Sequence, residues 1–198
     1  GDQTIMGLFD KFKSKGKQEI IPVILHLNAR LQPIHRGELF EDMFDKVLSE
    51  NDMGEVVGGG TLQMPTGEIS SCDIEFNVKE DKVEKFISFL HQIYIIPKGS
   101  NLKIKDKQID VGCAEGLALY LNGTDLSAEV YQKCDVNELI EQLDNALDGI
   151  GIRLSYWEGN SETALYYYGK DYLAMKEKIT LITKSHLLCE KCRIKQIA

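Results

Sequence analysis

One order of hydrophobic patterns occurs twice along the chain, and it restricts the available folds more than any single motif does. A β-rich apolar stretch, IIPVILHLNARL (20–31), precedes a helix in which Leu39, Phe40, Met43, Phe44, Val47 and Leu48 recur at three- and four-residue spacing. GEVVGGGTLQ and EISSCDIEFNV then flank the Pro65-Thr66-Gly67 turn. In the second of these, Cys72, Ile74, Phe76 and Val78 alternate with Ser71, Asp73, Glu75 and Asn77, which predicts a strand with one buried face. A second helical face (Val83, Phe86, Ile87, Leu90) and the short strand NLKIK (101–105) complete the series. Strand, helix, hairpin, helix, strand is the order of the split βαβ unit.

The remainder repeats it. GLALYLN (116–122) reads as a strand, and DVNELIEQLDNALDG as a helix with Asp135 at its N-cap, Glu138 three residues on and Gly149 just past the end. GIRLSYWEG and ETALYYYG form a hairpin, DYLAMKEKITLITKSHLL a long helix, and CRIKQIA a final edge strand. The expected fold is α+β: two tandem ferredoxin-like (βαββαβ) units with antiparallel sheets, over 19–108 and 109–198, behind a basic N-terminal arm, 1–18. One larger α+β domain with a continuous sheet is the alternative, since 198 residues suffice for either.

A net charge of −8 disfavours non-specific binding to nucleic acid and to anionic membrane. No apolar run approaches the roughly 20 residues that cross a bilayer. The opening residues lack the apolar core of a secretory leader, and Met6 suits a natural start with Gly1 to Ile5 upstream. Lys11, Lys13, Lys15 and Lys17 lie beside Leu8, Phe9 and Phe12, a pattern read as a frayed basic arm in preference to an interfacial helix. Five cysteines, mostly far apart, outline no disulfide framework, so a reducing cytoplasm is expected.

The triple glycine Gly58, Gly59 and Gly60 raises the question of a phosphate loop. Such a loop needs a helix next, whereas Pro65-Thr66-Gly67 makes a turn and no Lys-Ser/Thr pair follows. A strand with a bulge, or one approached closely by other groups, fits better. Asp73 and Glu75 share a strand face about 7 Å apart, suited to a metal ion, to acid–base work or to plain solvation. His35, Arg36 and Glu38, in HRGE, stand where a helix begins and could meet an anion. HLLCEKC (186–192) offers His186, Cys189 and Cys192, one short of a local zinc set; a thioredoxin-like dithiol would sit at the start of a helix and this pair lies at a helix end, so buried or incidental thiols are the preferred reading. Tyr166, Tyr167 and Tyr168, with Tyr156 and Trp157, could stack bases, but without interleaved basic residues they read as cross-strand pairs stabilising a hairpin.

LNARLQPIHRGE (27–38), EVVGGGTLQ (55–63), GEISSCDIEF (67–76), IPKGS (96–100) and LALYLNGTDL (117–126) together resemble a family of small bacterial proteins with no established activity. Such families often sit among toxin–immunity or other accessory genes, so the resemblance implies a binding role and supplies no catalytic residue. The expected function is a non-enzymatic protein-binding module, an immunity or regulatory partner of a bacterial toxin or effector, with no cofactor and no assigned metal site. His35, Arg36, Glu38, Gly58, Gly59, Gly60, Asp73 and Glu75 are its expected contact residues, and its partner is another protein. The alternative is a small-molecule or metal-dependent enzyme with a site between the two units. Self-association into a homodimer through edge strands is a third reading.

Overall fold

The computed structural model describes residues 18–198, and the N-terminal arm up to Lys17 lies outside them. The chain is α+β, with two antiparallel sheets. The first contains β1 (Ile20–Leu27), β2 (Gly54–Gln63), β3 (Ile69–Lys79), β4 (Asn101–Ile104) and β5 (Lys107–Asp110), in the order β2-β3-β1-β4-β5. The second contains β6 (Glu115–Asn122), β7 (Gly151–Glu158), β8 (Glu162–Gly169) and β9 (Arg193–Gln196), in the order β7-β8-β6-β9. Apart from β5, the two sheets place their strands alike: second, third, first, fourth.

Between β1 and β2 runs one continuous helix in three parts: α1 (Pro33–Arg36), a π-helical turn (Gly37–Glu41) and α2 (Asp42–Glu50). The other helices are α3 (Val83–Leu90), α4 (Ala128–Lys133), α5 (Val136–Ala146) and α6 (Tyr172–Thr183). Asp135 caps α5 by accepting from the Asn137 N–H at 2.8 Å, and Gly149 takes a left-handed φ of 76° beyond its end. No helix among the described residues is long and apolar enough to cross a membrane.

Alternation dictates how the first sheet is covered. Ile21, Val23, Leu25 and Leu27 of β1 and Cys72, Ile74, Phe76 and Val78 of β3 bury one face beneath Phe40, Phe44, Leu48 and Phe86. The second sheet is covered on both faces, which is why β6 and β8 are buried almost throughout. Leu117, Leu119, Leu165 and Tyr167 pack with Leu139, Leu143, Met175 and Ile179 on the helical side. Ala118, Tyr120, Ala164, Tyr166 and Tyr168 on the opposite side join the core of the first sheet. The three consecutive tyrosines are therefore core residues on opposite faces of a central strand, and their partners across the β7–β8 hairpin are Ser155, Arg153 and Ile152, not the aromatic pairs expected.

Candidate functional site

Of the residues singled out in the sequence, Arg36 and Gly58 to Gly60 come together where β2, an edge strand of the first sheet, lies against the helix. A π-helical turn brings side chains five residues apart side by side. Arg36 donates from Nε to Glu41 Oε1 at 2.6 Å, and its Nη1 donates to the Gly60 carbonyl at 3.0 Å and to Thr61 Oγ1 at 2.7 Å. The guanidinium thus clamps β2 against the helix. Gly59 lies directly beneath: a Cβ there would stand 2.7 Å from Glu41 Oε1, 2.9 Å from the Asp73 carbonyl oxygen and 3.1 Å from Arg36 Nε. A Cβ at Gly60 would meet nothing within 4 Å, and one at Gly58 would meet the Glu75 carboxylate at 3.3 Å. The strand also bulges between Val56 and Gly58. The close approach that the triple glycine implies is that of this ion pair at Gly59.

A sharp contrast between neighbouring positions is expected from this. Gly59→Ala should lower unfolding stability by about 1–3 kcal/mol through overpacking. Gly60→Ala should leave it unchanged or raise it by about 0.5 kcal/mol by restricting the unfolded chain. Urea denaturation of the two variants measures the difference, and equal midpoints would rule out the close approach at Gly59.

His35 is hydrogen-bonded through Nδ1 to Ser155 Oγ at 2.8 Å, and so reaches from α1 to β7. Glu38 is exposed on the π-helical turn. Asp73 pairs with His26 Nδ1 at 2.8 Å across the open face of the first sheet, where Glu75 is exposed. His26 lies directly opposite Asp73 in the β1–β3 register, so the pairing of β1 with β3 was the signal that could have found it. Among the described residues no three His, Cys, Asp or Glu side chains gather as a metal-ligand set.

A cleft lies elsewhere. About 590 Å³ in volume, it opens where Tyr94, in the segment between α3 and β4, faces the end of the β7–β8 hairpin. Its lining includes Gly149, Gly151 and Gly169. A Cβ at Gly169 would lie 2.1 Å from the Ile150 carbonyl oxygen, and one at Gly151 would lie 2.5 Å from Met175 Sδ. Side chains at these two positions would therefore collide with backbone and with buried Met175 of α6. Ile150, Ile152 and Tyr168 supply apolar lining, and Tyr94, 60% exposed, joins it from the first half of the chain.

The polar lining is Asp144, Asp148, Arg153 and Lys170. Arg153 donates from Nε and Nη2 to the two oxygens of Asp144 at 3.1 and 2.8 Å, and the Tyr167 hydroxyl donates to Asp144 Oδ1 at 3.1 Å. Those bonds to Asp144 hold the Arg153 guanidinium above its ordinary pKa, and burial pushes the Tyr167 phenol up. Arg153 is therefore a fixed cation with Nη1 outside the bidentate pair.

No protein-family model matches the chain, and no curated protein does. Two of the solved structures similar to it are these. One is a candidate monooxygenase from Fusobacterium nucleatum: 12% identity over 89% of this chain and 91% of that one, at a TM-score of 0.31. The other is an anthrone oxidase-like protein: 12% identity over 90% and 91%, at a TM-score of 0.24. At these scores the likeness argues for no residue and no mechanism. The expectation of a non-enzymatic protein-binding module, an immunity or regulatory partner, is nevertheless corrected, because both similar structures bear enzyme titles. Its physical basis is also reduced: His35 and Arg36, expected to head the contact surface, are bonded within the molecule.

Proposed function

We propose that the chain is an enzyme acting on a small organic molecule, built as two tandem ferredoxin-like units with its substrate cleft where they meet. The identical strand order of the two sheets supports the architectural half of this reading. The observation that carries the functional half is the cleft: its volume of about 590 Å³ is of the size that takes metabolite-sized ligands, and it combines apolar wall with a few convergent polar groups.

Each lining group has a role. Tyr94 covers an apolar or planar part of the substrate from above. Arg153, oriented by Asp144, directs Nη1 at a carbonyl or carboxylate oxygen, where a fixed guanidinium acts without reorganisation. Asp148, an exposed carboxylate on the cleft lining, is assigned the proton transfer.

A metabolite library screened by thermal shift tests the proposal, with hits carried into turnover assays by mass spectrometry. A compound should stabilise the wild-type protein. Tyr94→Ala, at an exposed position, should weaken its binding by about tenfold. Asp148→Asn should retain binding and lower turnover by about a hundredfold. Ligands that stabilise Tyr94→Ala and the wild type equally, or turnover indifferent to Asp148→Asn, would sink it.

A further inference from the structure

A second reactive site lies far from the cleft in sequence. After α6 the chain makes a short 3₁₀ turn, Leu187–Cys189, and then reverses into β9 at Arg193. The Cys192 N–H donates to the Cys189 carbonyl at 3.0 Å, closing a four-residue turn. Glu190 has φ −58° and ψ 133°, and Lys191 has φ 59°, so the turn is close to type II with a lysine where glycine is favoured. Lys191 is held by donation from Nζ to the Asp125 carbonyl at 2.9 Å. Turns of this kind bring the first and fourth Cα atoms within about 7 Å, the range that a disulfide spans.

The two thiols differ. Cys189 is buried, while Cys192 is partly exposed. The interaction between the two thiols lowers Cys192 from its ordinary pKa and, together with burial, raises Cys189. His186 uses Nδ1 to accept from the Leu188 N–H at 3.2 Å, and no third metal-type ligand joins the thiols among the described residues. An accessible, more acidic sulfur next to a buried partner is the arrangement of an attacking thiol and a resolving thiol.

We propose that Cys189 and Cys192 form a redox-active dithiol that closes reversibly to a disulfide by exchange with a low-molecular-weight disulfide. The Cys192 thiolate attacks one sulfur of the reagent, the reagent's S–S bond breaks, and one thiolate leaves and takes up a proton. Cys189 then loses its proton and attacks Cys192 Sγ in the mixed disulfide, expelling the second thiol. Two electrons pass from the dithiol to the reagent, which ends as two thiols. The closed form would fasten the turn at the root of β9. There Arg193 forms a bidentate pair with Glu162 at 2.9 and 2.7 Å and lies 3.6 Å over the Tyr120 ring.

The test is exposure of the reduced full chain to oxidised glutathione, followed by intact mass measurement and peptide mapping. The wild type should lose two hydrogens, with Cys189 linked to Cys192. Exposed Cys113 serves as internal control and should carry glutathione only as a mixed disulfide. Cys189→Ser should retain glutathione on Cys192, and Cys192→Ser should slow the reaction at Cys189 by about tenfold or more. Free thiols at both positions under conditions that modify Cys113 would overturn the proposal, as would a disulfide joining other cysteines.

Discussion

Glu68→Ala is expected to cost about 3–5 kcal/mol of unfolding stability, because it leaves a buried guanidinium without its counter-charge. Glu68, just before β3, and Arg30, in the link between β1 and α1, form an ion pair with side chains only 6% and 12% exposed. Arg30 Nη1 donates to the Tyr120 hydroxyl at 2.7 Å, that hydroxyl donates to Glu68 Oε1 at 2.7 Å, and the Arg30 N–H donates to the Tyr168 hydroxyl at 2.8 Å. The guanidinium also lies 5.6 Å over the Tyr166 ring. Loops of the first sheet are thereby tied to β6 and β8 of the second. Removing both charges together, as Arg30→Met with Glu68→Leu, should recover most of the loss, since a buried pair contributes little over a packed apolar substitute. Exposed Glu75→Ala should stay within about 0.5 kcal/mol of wild type. Tyr166→Phe should be neutral or mildly stabilising, because that hydroxyl is buried with no partner among the described residues. Guanidinium denaturation midpoints measure all four. A Glu68→Ala variant as stable as Glu75→Ala would mean that the pair is not buried in solution.

Patterning made some of this legible and hid the rest for identifiable reasons. Period-two alternation in β1 and β3 and the Asp135 cap were readable because each rests on local spacing. β5 was missed, since the first series was read as ending with the strand NLKIK. Its hairpin with β4 turns at Lys105, whose φ of 50° sits where glycine or asparagine would have signalled a turn. α4, six residues long behind its Ser127 cap, is too short for periodicity to announce. The π-helical turn left no sequence mark beyond Gly37, yet it sets Arg36 beside Glu41 and so explains Gly59. The cleft was invisible for a different reason. Tyr94, Arg153 and Lys170 are far apart in sequence and carry no shared motif, and only tertiary packing brings them to one opening. The Arg30–Glu68 pair was equally hidden, because in sequence each reads as an ordinary surface charge.

Gly112→Ala should lower stability by about 3 kcal/mol, at the point where the two sheets are joined. A Cβ at Gly112 would stand 1.7 Å from the Pro97 carbonyl oxygen and 2.5 Å from its carbon. Those are backbone atoms, so no side-chain rotation relieves the clash. The segments on either side are laced together: Lys98 N–H donates to the Ala114 carbonyl at 2.7 Å, and the N–H groups of Cys113 and Ala114 both donate to the Ile96 carbonyl, at 2.8 and 2.9 Å. Spreading 96–98 from 112–114 must therefore break these bonds or move the start of β6, which lies between β8 and β9 in the second sheet. Since one core runs from beneath α2 through to Tyr166 and Tyr168, the loss should be felt by both sheets at once. Trp157, the chain's single tryptophan, packs against that core from β7 and reports on the second sheet, while far-ultraviolet circular dichroism reports on both. Coincident transitions shifted to the same lower midpoint are expected. An unshifted midpoint would show that the close approach at Pro97 is absent in solution. Separated transitions would show instead that each sheet melts alone, and the cleft beneath Tyr94 would then be an opening between two independently folding units.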